Sequence, residues 1–286
     1  MFASPSTRAS DATGIVVVAA ALLAVGLVMV ASAGARLDGP IIELHFWKTA
    51  FGRQLVYAIA GFLAMLCASR GAHRLFAWRP GRRFQPALAV YAVSMMCLLA
   101  ALLPGLGVTR KGAQRWLQIG PEALGLSFQP SELAKPVLVI LLAALLAGRA
   151  AHLRSLKRGL LPVCAALGLC IGLIGIEDFG TAALLAAVGG AMLVVAGARW
   201  RHLAPAGAVG LGAMVYLIKC EPYRIARLTT FLDIWKDPRG AGYHPVQSLV
   251  TIASGGFAGR GLGGGVQKYG YLPEARTDFI FALICE

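Results

Sequence analysis

The chain alternates long hydrocarbon stretches with short polar ones. Apolar residues run almost without interruption over 14–35, 54–68, 86–103, 133–148, 160–176, 181–197 and 203–218, and a further run starts at Phe279. A helix rises about 1.5 Å per residue through a hydrocarbon layer about 30 Å thick, so a span takes roughly 17–25 residues. The pattern therefore predicts seven membrane-spanning helices, several of them short, and the start of an eighth. Composition agrees: 58% of the 286 residues are hydrophobic and 14% charged, against roughly 45–50% and about 25% in a soluble domain. The fold class expected is all-α and polytopic, with residues 1–286 forming a single transmembrane domain and no soluble domain.

The first run follows a polar stretch with Arg8 and Asp11 and has the look of a signal peptide. Its length and the lack of a convincing cleavage site favour a retained helix. Orientation follows from the short loops. Residues 70–83 hold Arg70, Arg74, Arg79, Arg82 and Arg83 without an acid, residues 149–158 hold Arg149, Arg154, Lys157 and Arg158, and residues 198–202 add Arg199 and Arg201. The positive-inside rule puts these three loops in the cytoplasm. Counting spans then leaves 36–51, 105–130 and 219–276 outside, the last as a large loop that includes short interfacial or re-entrant helices.

The net charge of +14 raises nucleic acid as a partner, but the inner loops and anionic membrane lipids already account for most of it, and no nucleic acid is expected. The outer cations Arg110, Lys111, Arg115, Arg224, Arg227, Arg239, Arg260, Lys268 and Arg276 are not explained by topology. They fit an anionic, lipid-linked substrate such as a pyrophosphate, with attraction to headgroups as the plainer alternative. The cysteines Cys67, Cys97, Cys164, Cys170, Cys220 and Cys285 lack the close spacing of a metal or redox site. Gly259-Arg260-Gly261-Leu262-Gly263-Gly264 fits a dinucleotide fingerprint in letters only, since no strand precedes it. It reads as a flexible or re-entrant loop, or as an amide cradle for phosphate.

Polar motifs then recur between the runs. Gly112-Ala113-Gln114-Arg115-Trp116 precedes Gln129-Pro130-Ser131-Glu132-Leu133-Ala134-Lys135. Pro130 and Ser131 suit a helix start, with Ser131 expected to cap it, so Glu132 and Lys135 share the first turn and one face. They form either a structural pair or a substrate contact. Glu177-Asp178-Phe179-Gly180-Thr181 sits between the fifth and sixth runs, where Asp178 either caps the next helix or floors a cavity. Asp237-Pro238-Arg239-Gly240-Ala241-Gly242-Tyr243 has the composition of a turn. Gln247-Ser248, Gln267-Lys268 and Tyr271-Leu272-Pro273-Glu274-Ala275-Arg276-Thr277-Asp278-Phe279 follow.

In this order the motifs resemble those of the SEDS family (shape, elongation, division and sporulation), the integral-membrane peptidoglycan glycosyltransferases of the FtsW/RodA type, with the last stretch closest to the FtsW branch. The resemblance covers the chain from about Trp47 onward. Because family members continue with further helices, it implies that the chain stops short of their C-terminal spans. It also implies polymerisation of lipid II, the undecaprenyl-pyrophosphate-linked disaccharide pentapeptide, at the outer face of the bacterial cytoplasmic membrane. The resemblance places the family's catalytic carboxylate on Asp237, in preference to Asp233. Arg115, Glu132, Lys135, Asp178, Gln247, Ser248 and Lys268 are the implied substrate-binding residues. A single general base suffices because pyrophosphate leaves as a stable anion and needs mainly positive charge, from cationic side chains or a divalent cation, Mg or Mn. An α-linked donor and a β-linked product imply inversion. No organic cofactor is expected. The implied partners are a class B penicillin-binding protein and other divisome or elongasome proteins. A lipid II transporter explains Glu132, Lys135 and Asp178 about as well, and a non-enzymatic division scaffold explains the helices but not the loop motif.

Overall fold

The computed structural model describes residues 5–34, 49–71, 76, 85–110, 113–118, 127–153, 155–261, 263–269, 271–272, 274 and 277–286, and the side chains of all of these except 5–12, 50, 110, 113 and 268. Of the inner-loop cations expected from the sequence, Arg74, Arg79, Arg82, Arg83 and Arg154 lie outside the described residues. So do Lys111 and Arg276.

The apolar runs are helices. They form α1 (Pro5–Gly34), α2 (Ala50–Ser69), α3 (Pro86–Leu102), α4 (Pro130–Gly148), α5 (Leu161–Glu177), α6 (Phe179–Val195) and α7 (Trp200–Cys220). Among the described residues, five helical segments are long and apolar enough to cross a membrane, and α3 and α6 are shorter apolar helices. Ile15, Leu22, Val209 and Leu211 on α1 and α7 are each 60% exposed or more, a costly arrangement in water and the expected one in lipid. Three further helices follow: α8 (Pro222–Leu232), α9 (Tyr243–Gly255) and α10 (Ile280–Cys285).

The chain divides into two compact units, residues 71–217 and residues 1–70 with 218–286. The core of the first unit is built on α4, whose Leu138, Leu141 and Leu142 are almost fully buried against Tyr91, Met95 and Leu98 of α3 and Val163, Leu167 and Cys170 of α5. Tyr91 donates its hydroxyl to the Ala166 carbonyl at 2.6 Å, tying α3 to α5. A Cβ at Gly189 of α6 would overlap Leu167, so a small residue there lets α5 and α6 pack closely, as in many membrane helix pairs.

The same unit contains an element that an all-α expectation omits. Residues Gly107–Arg110 (β1), Ala113–Gln118 (β2) and Ser127–Phe128 (β3) form an antiparallel sheet in the order β1-β2-β3. Val108, Thr109 and Trp116 are good strand formers, and the strands are too short to announce themselves between two apolar helices.

In the second unit α1 packs on α2 and on α10, and α9 packs on α10. Ala33, Leu272, Ala282 and Leu283 form its small buried core. α8 starts at Pro222 and ends at Leu232, with Asp233 as its C-cap. Ile225, Leu228 and Leu232 lie on one stripe of it and are exposed, opposite Arg227, whose guanidinium stacks 4.8 Å over the Tyr223 ring. That amphipathic pattern is the one that lies in a membrane interface.

Candidate functional site

The first cluster is created by a defect in the sheet. Val108 pairs with Trp116, and the next residue, Thr109, pairs with Gln114. Arg115 is thus the extra residue of a bulge, and bulges re-aim side chains. Its guanidinium reaches the joint between α5 and α6, with Nη1 3.5 Å from Asp178 Oδ2. Nη2 donates to the Glu177 carbonyl. The neighbouring Gln114 amide donates to Glu177 Oε2 at 3.1 Å. Asp178 is at the same time the N-cap of α6, with Oδ1 accepting the Thr181 amide at 3.1 Å and Oδ2 the Thr181 hydroxyl at 3.0 Å. Of the two readings of Asp178 left open by the sequence, the helix cap is present, and the carboxylate also pairs with Arg115.

Gln114, Arg115, Ser131, Ile174, Glu177 and Asp178 face a cavity of about 20 Å³, room for one water and not for a sugar. Glu177 was missed as a contributor. The signal was a lone carboxylate at the last turn of an apolar helix, directly before Asp178.

Glu132 and Lys135 meet in the first turn of α4, with Nζ 2.7 Å from the carboxylate. The cap expected at Ser131 is not there. Gln129 is the N-cap and Pro130 the first helical residue, because proline, with no amide to leave unbonded, takes that position. Ser131 is instead buried beside the Arg115 cavity. Pro136 is inside the helix and offers no amide to the Glu132 carbonyl one turn back.

The side chains of the pair are 32% and 59% exposed, so its contribution to stability is expected to stay below about 1 kcal/mol. Its coupling should instead be visible in function. Glu132→Ala and Lys135→Ala in the full-length parent should each lower activity, and the double variant should lose less than the sum of their free-energy effects. Strict additivity would dissolve the pair.

The second cluster, in the other unit, is the turn between α8 and α9. Asp237 Oδ1 accepts the Gly240 amide at 3.0 Å and Oδ2 accepts the Ala241 amide at 3.1 Å. The Gly242 amide returns to the Asp237 carbonyl at 2.9 Å, and α9 starts at Tyr243. Gly242 is sterically required, and Gly240 leaves room for the carboxylate as it is placed. A Cβ at Gly240 would overlap the Asp237 carboxylate, and one at Gly242 the Ile234 carbonyl. The carboxylate is exposed, and with two of its roughly four lone-pair sites engaged it is fixed in direction and open to a further donor.

Asp233 is the C-cap of α8 and accepts the Trp235 amide at 3.0 Å. Gln247 and Ser248 are half-buried in α9, where the Gln247 carbonyl accepts the Thr251 hydroxyl at 2.7 Å. Lys268 sits in the 3-10 turn Gln267–Tyr269, and its side chain lies outside the described residues.

Residues 12–286 match the family of cell cycle proteins of the FtsW/RodA/SpoVE type. The chain belongs to that family. It is 36% identical over 273 residues to a probable peptidoglycan glycosyltransferase FtsW of Geobacter sp. (strain M18), covering 95% of this chain and 71% of that protein. It is 34% identical to the stage V sporulation protein E of Bacillus subtilis (strain 168), with the same coverage of both chains. A probable peptidoglycan glycosyltransferase FtsW of Thioalkalivibrio sulfidiphilus (strain HL-EbGR7) is 39% identical, covering 93% of this chain and 64% of that one. Among solved structures, a peptidoglycan synthase complex described as coordinating polymerization and crosslinking aligns with TM-score 0.57 and 31% identity. That match covers 84% of this chain and 64% of the other, so this chain spans under two thirds of its length.

Proposed function

We propose that the protein to which this chain belongs is a peptidoglycan glycosyltransferase that polymerises lipid II in cell division or elongation, releasing undecaprenyl pyrophosphate. The observation that carries the proposal is the Asp237 turn: an exposed carboxylate, aimed by two backbone amides, on a stretch that resembles the family's motif. In this reading Asp237 takes the proton from the acceptor sugar hydroxyl as its oxygen attacks the anomeric carbon of the donor. The carbon–oxygen bond to pyrophosphate breaks as the new glycosidic bond forms, with inversion, and the anion departs without protonation.

Lys268, in the unit that holds Asp237, is the proposed source of positive charge for that anion, and the cations Arg115 and Lys135 are proposed to bind substrate. Glu132 and Asp178 hold two of these cations in place, and Gln247 and Ser248 supply hydrogen-bonding groups. A divalent cation, Mg or Mn, fits the same chemistry. Among the described residues no three His, Cys, Asp or Glu side chains converge, and isolated carboxylates suit an ion that arrives on pyrophosphate oxygens.

The class B penicillin-binding protein is proposed as the partner by analogy with the crosslinking described for the solved complex. The location proposed is the bacterial cytoplasmic membrane, with residues 219–276 on the extracytoplasmic side.

A polymerisation assay on the full-length parent with purified lipid II and its cognate transpeptidase tests the activity directly, and glycan product is expected. Lipid II moved across vesicles without product would favour the transporter. The orientation is checked on the same protein by cysteine labelling from outside, which should reach a probe near Gly242 and not one near Trp78. Labelling of both from one side would overturn the assignment of the active face.

A further inference from the structure

The glycine-rich stretch after α9 has an occupant, and it comes from the chain itself. Glu286, next to the end of α10, has a side chain only 1% exposed. Its Oε1 accepts the Val266 amide at 2.9 Å and the Gln267 amide at 3.4 Å, and its Oε2 accepts the Gln267 amide at 3.3 Å. Arg260 Nη1 stands 3.9 Å from Oε1, while Arg260 Nε donates to the Ser254 carbonyl of α9 at 3.1 Å. A carboxylate is buried at tolerable cost only when donors surround it in this way.

The glycines make room for it. A Cβ at Gly265 would stand 2.7 Å from Glu286 Oε2, and one at Gly255 would overlap the Cys285 carbonyl. Gly259, Gly261 and Gly263 have φ of 72°, 81° and 85°, a region that side-chain-bearing residues rarely adopt. The stretch is therefore a socket shaped for one carboxylate, and Arg260 joins that carboxylate to the end of α9.

We propose that Glu286 is a positioning residue for the Asp237 turn, a role that rests on the polymerase reading. α9 is 13 residues long, a rod of about 20 Å. The Gly242 amide bonded to Asp237 lies at one of its ends, and the Glu286 socket grips the other. A tilt of about 3° about the gripped end shifts the Asp237 end by about 1 Å, and misplacement by that distance costs about 10²-fold in rate.

The test uses the full-length parent with lipid II and its transpeptidase, together with limited trypsin cleavage after Arg260 in detergent. Glu286→Gln removes the charge at nearly constant size, and Gly265→Ala fills the socket while leaving Glu286 in place. Both should raise cleavage after Arg260 about 10-fold or more, as local opening becomes easier, and both should lower kcat about 10- to 100-fold with KM within about 2-fold. Glu286→Asp, which keeps the charge one methylene further back, should recover most of kcat and show intermediate cleavage, so the test still decides should the Gln variant not fold.

Unchanged cleavage in the Gln and Ala variants overturns the socket. Raised cleavage with parental kcat overturns the positioning role. A parent that makes no glycan defeats the polymerase reading and the role in it, while the cleavage result still judges the socket. Asp237→Asn separates the two ideas, since it should stop polymerisation without exposing Arg260.

Discussion

Asp237→Asn in the full-length parent is expected to cut lipid II polymerisation by about 10²–10⁴, the usual worth of a general base, with expression and transpeptidase binding near parental. The structure says why the variant is clean. The amide oxygen of asparagine still accepts the Gly240 hydrogen bond, and the backbone bond from Gly242 to the Asp237 carbonyl does not involve the side chain. What is lost is the second acceptor at Ala241, which is exposed and open to solvent instead, and the capacity to take a proton. Gly240→Ala is the companion experiment. It leaves the carboxylate in the chain but puts a methyl group where the carboxylate sits, so the base should be misplaced and the rate should fall about 10²-fold. Asp233→Asn should be mild, because Asp233 only caps α8 and its immediate turn. Polymerisation at a near-parental rate by the Asp237 variant would remove Asp237 from the chemistry, whatever its motif.

Sequence and structure agree best where one physical force decides alone. The run at 86–103 becomes α3 over Pro86–Leu102, and the run at 133–148 becomes α4 over Pro130–Gly148, because long apolar stretches have few alternatives to a helix in lipid. The Glu132–Lys135 contact was readable for the same reason: residues three apart on a helix are neighbours whatever surrounds them. Legibility ended where the outcome depended on distant partners.

The sheet at 107–128 and its bulge depend on how two short strands register, and the bulge is what directs Arg115 to a carboxylate 63 positions later in the chain. The glycine-rich stretch gave no local clue that a carboxylate some 20 positions onward would fill it. Its local signals fitted a flexible or re-entrant loop as well as an amide cradle for phosphate. The misplaced cap at Ser131 is different in kind. Two helix-start signals stood side by side, and proline, the more restrictive of the two, set the boundary.

Arg115 gives the second large effect, and its geometry predicts that lysine will not replace it. Nη1 faces Asp178 and Nη2 donates to the Glu177 carbonyl, a two-pronged grip that a single ammonium cannot reproduce. Arg115→Ala in the full-length parent should lower stability by about 1–2 kcal/mol, less than the usual worth of hydrogen bonds to charged groups, since the pair is partly exposed. Polymerisation should fall by about 10-fold or more, because the cation and the frame that aims it go together.

The partner substitution must be chosen with care, since Asp178 also caps α6. Asp178→Ala removes cap and charge at once, with about 1 kcal/mol from the cap alone. Asp178→Asn keeps an acceptor for the Thr181 amide and replaces the oxygen facing Arg115 and the Thr181 hydroxyl by an uncharged NH2 group. A double-mutant cycle of Arg115→Ala with Asp178→Asn, read by thermal unfolding and by polymerisation, should therefore give a coupling of about 0.5–2 kcal/mol in both. Coupling in stability without coupling in activity would make the cluster a structural fastening of the sheet to the α5–α6 joint, and an Arg115→Lys variant with parental activity would show that charge alone, not the bulge that aims it, is what the site needs.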